Sequence, residues 1–220
     1  MPRRHRIAGA ICLILGGAAV VLQYLVTPLT GSMTGSELVA KATDHHAAMG
    51  WALALDFPVL LAAPAFLYVG HVARARTSVL ASLGGAFLFF PFVLSLPALL
   101  GLDALAWFAG SQPNKAAMAD LVDAWQGSAW FAISLVPYVL LQVTGAVLLA
   151  VALVRQRIVP LWVALGTAAW PMIAVAGQES GVRALSLVGY GLLLVTWIAF
   201  ALTLLRSPEP AVAEASLAVA

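Results

Sequence analysis

The chain has 220 residues, of which 63% are hydrophobic and 9% are charged, and its formal net charge is +2. A soluble domain carries about 25% charged residues, so this composition excludes a soluble enzyme, a disordered regulator and a nucleic-acid-binding protein. It predicts an integral membrane protein of the all-α class. The single cysteine, Cys12, can form no intramolecular disulfide and cannot build a metal site alone.

Six apolar segments have the length that a helix needs to cross the hydrocarbon core of a bilayer, about 20 residues. They predict transmembrane helices over Ile7–Thr27, Ala47–Gly70, Val79–Leu100, Ala129–Val154, Ile158–Ala176 and Ala184–Leu205. Residues 1–206 are therefore expected to form one polytopic six-helix bundle. Residues 207–220 are expected to be a flexible tail.

The basic residues are distributed unevenly between the two sides of these predicted spans. One side carries Arg3, Arg4, Arg6, Arg74, Arg76, Arg155, Arg157 and Arg206, and the other carries Lys41, Lys115 and Arg183. Because cytoplasmic loops carry an excess of Lys and Arg, both termini are expected in the cytoplasm. The chain is thus predicted to be a multi-pass protein of the cell membrane.

Two longer segments, residues 28–46 and 101–128, are expected on the outer side. Thr34 and Glu37 have the spacing of a capping box, which predicts that the helix of the second span begins near Ser36 and rises above the membrane before entering it. Further on, an apolar stripe with helical spacing predicts an interfacial helix over residues 113–126, with Ser111 as a candidate N-cap. The stripe consists of Met118, Leu121, Val122 and Trp125. This helix either lies along the membrane surface or covers a cavity that opens outward.

Asp56 is the residue most suggestive of chemistry, because it is the one charged residue inside a predicted span. A charged side chain near the bilayer centre costs about 2.5–3.5 kcal/mol on insertion scales, and it usually faces the protein interior or a water-filled cavity. Two residues later, Pro58 removes a helical hydrogen bond and leaves the carbonyl of Ala54 available. Asp56 is the candidate catalytic residue. The alternative is a neutral aspartic acid that only hydrogen-bonds a neighbouring helix.

Five further residues are candidates for substrate binding. His45 and His46 precede the second predicted span, and His45 would share a helical face with Asp56 about 16 Å away. Trp51 supplies aromatic surface near Asp56. Tyr138 and Gln142 belong to a polar stripe on the fourth predicted span and are the first candidates for a partner of Asp56. Ordinary interfacial anchoring and helix packing are the alternatives for all five.

The sequence predicts no metal site and no cofactor. Asp44, His45 and His46 are consecutive, so their side chains point in different directions from a helix. His71 lies at the far end of the same predicted span, which leaves no histidine pair for a haem. The motifs of phosphate-binding loops, of hydrolases with a serine nucleophile and of zinc proteases do not occur.

The layout resembles a family of uncharacterised six-helix bacterial membrane proteins that is known only as a domain of unknown function. The resemblance lies in Arg-Ile-Ala-Gly at residues 6–9, in the polar segment before the second span, and in Arg-x-Arg-x-x-Pro at residues 155–160. It implies a six-helix bundle and no established activity.

Three functions are compatible with these observations. Base rates favour a binding or scaffold protein, or a subunit of a complex, in which Asp56 is satisfied by a neighbour and no cavity exists. The first alternative is a small transporter or channel-like protein with Asp56 in an outward cavity. The second is a membrane enzyme in which Asp56 acts as general acid on a lipophilic substrate. The sequence is therefore compatible with an enzyme as well as with a non-catalytic protein. The expected partners are the lipid bilayer and either a lipophilic small molecule or another membrane protein, and no nucleic acid.

Overall fold

The structure, a computed structural model, describes residues 3–29, 31, 33–73 and 78–206, and at residues 78 and 94–99 it describes the backbone alone. These residues form ten α-helices and one π-helical turn, Pro91–Ser95, with no β-strand among them. The α-helices are α1 Arg3–Val26, α2 Gly35–Asp44, α3 His46–Val59, α4 Ala62–Val72, α5 Ser78–Phe90, α6 Leu96–Ser111, α7 Lys115–Gln126, α8 Ala129–Gln156, α9 Leu161–Glu179 and α10 Arg183–Arg206. The predicted all-α class is confirmed. The predicted tail, residues 207–220, lies outside the described residues.

Five helical segments of the described chain are long and apolar enough to cross a membrane, which is the pattern of a multi-pass membrane protein. They are Arg3–Val26, His46–Val72, Ala129–Gln156, Leu161–Glu179 and Arg183–Arg206. The third predicted span begins as a shorter apolar helix, Val79–Val93. From there, helical structure continues through the π-helical turn to Ser111, beyond the predicted end at Leu100.

Two segments of the second predicted span, α3 and α4, are separated by a short break after Pro58. Pro58 lies in the last turn of α3, and α4 begins at Ala62. A proline inside a helix lacks the N–H for the ladder and clashes with the carbonyl one turn earlier. The break therefore lies where the sequence predicts a local loss of helical hydrogen bonding, just beyond Asp56.

The α5 and α8 helices pack closely at two glycines. A Cβ atom added at Gly84 would lie 2.7 Å from the backbone nitrogen of Leu149. One added at Gly145 would lie 2.9 Å from the backbone nitrogen of Leu88. Small residues let helix backbones approach in membrane proteins, and any larger residue here would push α5 and α8 apart.

The α2 and α7 helices, here called the cap helices, cover one end of the bundle and contact each other. The backbone N–H of Gly35 donates to Oδ1 of Asp123 over 2.6 Å. Leu38, Val39 and Val122 are buried in the same apolar cluster. The cap helices thus form a small second core at the end of the bundle where α1 ends and α8 begins, hereafter the cap end.

The predicted helix start near Ser36 is confirmed, but this helix ends at Asp44 and does not continue into the second span, which begins at His46. The predicted N-cap of α7 is wrong. The Thr34 side chain accepts from the N–H of Glu37, and the Glu37 carboxylate accepts from the N–H of Thr34, which completes the capping box. Asn114 is the N-cap of α7, because its side chain accepts from the N–H of Ala117. Ser111 instead ends α6 and donates to the carbonyl of Phe108.

The capping box makes the stability of α2 depend on pH. The hydrogen bond from the Thr34 backbone holds the pKa of the Glu37 carboxyl below its usual value of 4.5. A carboxyl group with a depressed folded-state pKa contributes stability above its unfolded pKa, and this contribution is lost as the pH falls through the folded pKa. We expect amide hydrogen exchange in α2 to accelerate, beyond its intrinsic rate change, as the pH is lowered below 4.5.

Substitutions in the capping box check this expectation. Glu37→Gln should remove the pH dependence, and Thr34→Ala should lower the local stability of α2 by about 1 kcal/mol. Exchange in α10, which lies away from the box, serves as the internal control. Protection in α2 that stays constant across this pH range in the unsubstituted protein would contradict the prediction.

Candidate functional site

A cavity of about 480 Å³ extends from the cap end into the bundle. Its rim includes Leu29, Gly31 and Glu179, which lie in loops or at helix ends at the cap end. Its walls include Trp170 and Leu193, which lie near the middle of α9 and α10. Pockets that bind small molecules have volumes of about 300–1,000 Å³, so this cavity is large enough for a small organic molecule.

A pair of carboxyl groups lies on the cavity wall. Asp56 of α3 and Asp103 of α6 both line the cavity, and their side chains are hydrogen-bonded to each other. Gln23 of α1 also lies beside Asp56 on the cavity wall. A hydrogen bond between two carboxyl groups requires a proton on one of them, since ionised carboxylates only accept. The pair therefore carries at most one negative charge in this arrangement.

One oxygen of this pair has no protein partner. Asp56 is only 3% exposed, and its Oδ2 atom has no hydrogen-bond partner among the described residues. Buried polar groups are hydrogen-bonded in the large majority of cases, and each exception calls for an explanation. A proton on the neighbouring Asp103 carboxyl or a ligand in the cavity would each supply the missing donor.

A continuous series of aromatic rings, here called the aromatic arc, follows the inner surface of the bundle. In order of contact, its rings belong to Tyr24, Tyr190, Trp170, Phe66, Phe92 and Tyr138. Neighbouring ring centroids lie between 5.0 and 6.4 Å apart, within the range of favourable aromatic pairs. All of these residues except Phe66 line the cavity. Tyr138 and Tyr190 are half-buried and expose part of their rings, whereas Tyr24, Phe92 and Trp170 are buried behind the cavity surface.

An amide side chain holds one tyrosine hydroxyl of the arc, and two other polar atoms of the arc have no partner. Nε2 of Gln178 donates to Oη of Tyr190 over 2.7 Å, and Gln142 lies beside Tyr138. In contrast, Oη of Tyr24 and Nε1 of Trp170 are buried with no partner among the described residues. The described residues that line the cavity include no Lys, Arg or His.

The structure brings three of the predicted site residues together and separates the other three from them. Asp56, Tyr138 and Gln142 all line the cavity. Among the described residues, those that line the cavity do not include His45, His46 or Trp51.

The separation of the histidines has a local cause. His45 has φ −122° and ψ 36°, so it interrupts the helix between α2 and α3, and the helical-face argument that linked it to Asp56 does not apply. The ring of His46 stacks on Trp107 of α6 with a centroid distance of 5.1 Å. Trp51 is 69% exposed and points away from the bundle interior.

Several cavity residues were not predicted from the sequence. Asp103 was assigned to an outer loop, although the residues around it are apolar and continue a helix. Gln23 and Gln178 are polar residues near the ends of predicted spans, and this was a usable signal. Arg183, at the start of α10, donates to the carbonyls of Tyr24 and Leu25 at the end of α1.

No protein-family model, no curated protein and no solved structure matches this chain. The resemblance drawn from short sequence motifs therefore stays a prediction. Across the described ranges, no group of three or more His, Cys, Asp or Glu side chains is placed to hold a metal ion.

Proposed function

We propose that this protein is a small carrier that binds its cargo in the cavity, with Asp56 at the binding site. The observation that supports this most directly is the buried acidic side chain of Asp56 in the wall of a cavity that extends to the cap end. An ionisable residue inside a membrane-spanning segment is typical of substrate and ion pathways. Amide and hydroxyl groups along the wall can replace the water that a polar cargo loses when it enters.

The proposal includes a topology. We take the helical stretch from Ser78 to Ser111 as a sixth crossing, interrupted by the π-helical turn, which gives an even number of spans. The excess of arginines at the opposite end of the bundle then places both termini in the cytoplasm of a cell-membrane protein. In this topology, the cavity opens on the outer face, beneath the cap helices.

The geometry of the site differs from what a scaffold protein or an enzyme would be expected to show. A scaffold protein would have Asp56 fully satisfied by Gln142 or Tyr138 and no cavity, whereas Asp56 is paired with Asp103 and lines a cavity. An enzyme acting on a lipophilic substrate would have a closed apolar pocket. The cavity instead has carboxyl, amide and hydroxyl groups on its wall and loop residues at its rim. These features favour the carrier.

Cysteine labelling tests both the outward opening and the carrier function. In a Cys12→Ala background, Leu135→Cys places a thiol on the cavity wall in α8, and Val147→Cys places one on the same helix outside the described lining. A membrane-impermeant maleimide added to intact cells should label Leu135→Cys and leave Val147→Cys unlabelled. Because a carrier exposes its site to both sides in turn, slower labelling of Leu135→Cys is also expected in inside-out vesicles.

Two outcomes would count against the proposal. An unlabelled thiol at position 135 in intact cells would show that the cavity does not open to the outside. Labelling from the outside with none in inside-out vesicles would indicate a one-sided binding protein, because a carrier must present its site to the cytoplasm as well.

A further inference from the structure

We propose that the cargo is an organic cation with a single positive charge and a nearby oxygen atom, held between Asp56 and the aromatic arc. This inference rests on the proposed function for the direction of transport, whereas the binding itself depends only on the cavity. Three features of the cavity lead to it: its charge, its aromatic rings and its unpartnered polar atoms.

The charge of the cavity selects against anions and for one positive charge. The Asp56–Asp103 pair carries at most one negative charge while its hydrogen bond is intact. The described lining includes the acidic Glu179 at the rim and no basic residue. A buried charge without a partner is strongly unfavourable, so a monovalent cation beside Asp56 would supply the counter-charge that the protein does not.

The aromatic arc distinguishes an organic cation from a metal ion. A cation over the face of Trp, Tyr or Phe is attracted by the ring quadrupole, and aromatic cages of this kind recognise ammonium groups. Tyr24, Tyr190, Trp170, Phe92 and Tyr138 all line the cavity. A hydrated metal ion would gain little from these rings, and the cavity of about 480 Å³ is far larger than such an ion requires.

The unpartnered polar atoms indicate what else the cargo must carry. The Oδ2 atom of Asp56, Oη of Tyr24 and Nε1 of Trp170 are buried without partners among the described residues. Asp56 is 3% exposed, Tyr24 7% and Trp170 1%, and all three residues line the cavity. An indole N–H is only a donor, so Trp170 requires an acceptor. A cation with a hydroxyl, ether or carbonyl oxygen would satisfy both Asp56 and Trp170.

A pair of probes of nearly equal shape tests this inference on the full-length protein in detergent. Choline is a cation with a hydroxyl group, and 3,3-dimethylbutan-1-ol is its neutral analogue with carbon in place of nitrogen. We expect isothermal titration calorimetry to show that choline binds at least about tenfold more tightly than the alcohol, since desolvated cation–π and ionic contacts favour only choline. This comparison needs no variant, so it does not depend on the folding of one.

Matched variants assign the effect to the site. Asp56→Asn should weaken choline binding at least about tenfold and leave the binding of the alcohol unchanged, since only the cation interacts with the carboxylate. Asp120→Asn, an exposed residue of α7 outside the described lining, removes the same charge and should change neither. Trp170→Phe keeps a ring surface and removes the N–H, so it should weaken both probes to a similar degree through their shared hydroxyl.

The possible results test the identity of the cargo and the carrier function separately. Equal affinities for choline and the alcohol, or no saturable binding of either, would overturn the organic-cation assignment, and so would unchanged choline binding in Asp56→Asn. Outward labelling of Leu135→Cys without choline binding would leave the carrier proposal standing alone. Choline binding without uptake of radiolabelled choline into proteoliposomes would overturn the carrier proposal and leave the cation site.

Discussion

Gly145→Ala is expected to lower the thermal unfolding midpoint of the protein, although alanine is the better helix former. The added Cβ would lie 2.9 Å from both the backbone nitrogen of Leu88 and the Cβ of Phe87, and 3.0 Å from the carbonyl oxygen of Gly84. Two of these are backbone atoms, so relief requires α5 to move away from α8. Overpacking of this kind costs about 1–3 kcal/mol.

A matched control exists on α10. A Cβ added at Gly191 has no atom within 4 Å, so Gly191→Ala changes helix propensity without a clash. Gly191→Ala should therefore raise stability by about 0.5–1 kcal/mol, opposite in sign to Gly145→Ala. Both are measured as midpoints of thermal unfolding monitored by size-exclusion chromatography in detergent. Equal shifts for the two variants would show that α5 and α8 do not approach as closely as the structure indicates.

The class of the fold could be predicted because it depends on composition and on local rules. Long apolar segments have few ways to satisfy their backbone in a bilayer other than as helices. The capping box of Thr34 and Glu37 depends on residues three positions apart, and the structure forms it as predicted. The break after Pro58 is local in the same sense.

The site could be predicted only in part, because it depends on how helices meet. Asp56 stood out in the sequence as a charge in an apolar segment, but its partner Asp103 was assigned to a loop. The single departure of His45 from helical geometry was enough to invalidate the expected alignment with Asp56. The aromatic arc joins residues from six different elements, and no pattern along the chain predicts such contacts.

Removal of both carboxyl groups is expected to abolish the preference of the cavity for choline over its neutral analogue. In Asp56→Asn, Asp103 still offers a carboxylate at the same wall, so some preference for the cation should remain. In Asp103→Asn, an amide can still donate to Asp56, which keeps its own negative charge and its unpartnered oxygen. Loss of choline affinity should be at most about tenfold in Asp103→Asn, the size of one neutral hydrogen bond.

The two positions should be coupled because they share a proton, and groups in one hydrogen-bonding network deviate from additivity. The double variant with Asp56→Asn and Asp103→Asn should bind choline and 3,3-dimethylbutan-1-ol with roughly equal affinity, since the ionic part of the selectivity is gone. The control is a double variant of two exposed acids at the cap end, Asp44→Asn with Asp120→Asn, which has the same net charge. If the carboxyl-free variant still preferred choline tenfold, the selectivity would come from the aromatic arc alone. The carboxyl pair would then serve the packing of α3 against α6.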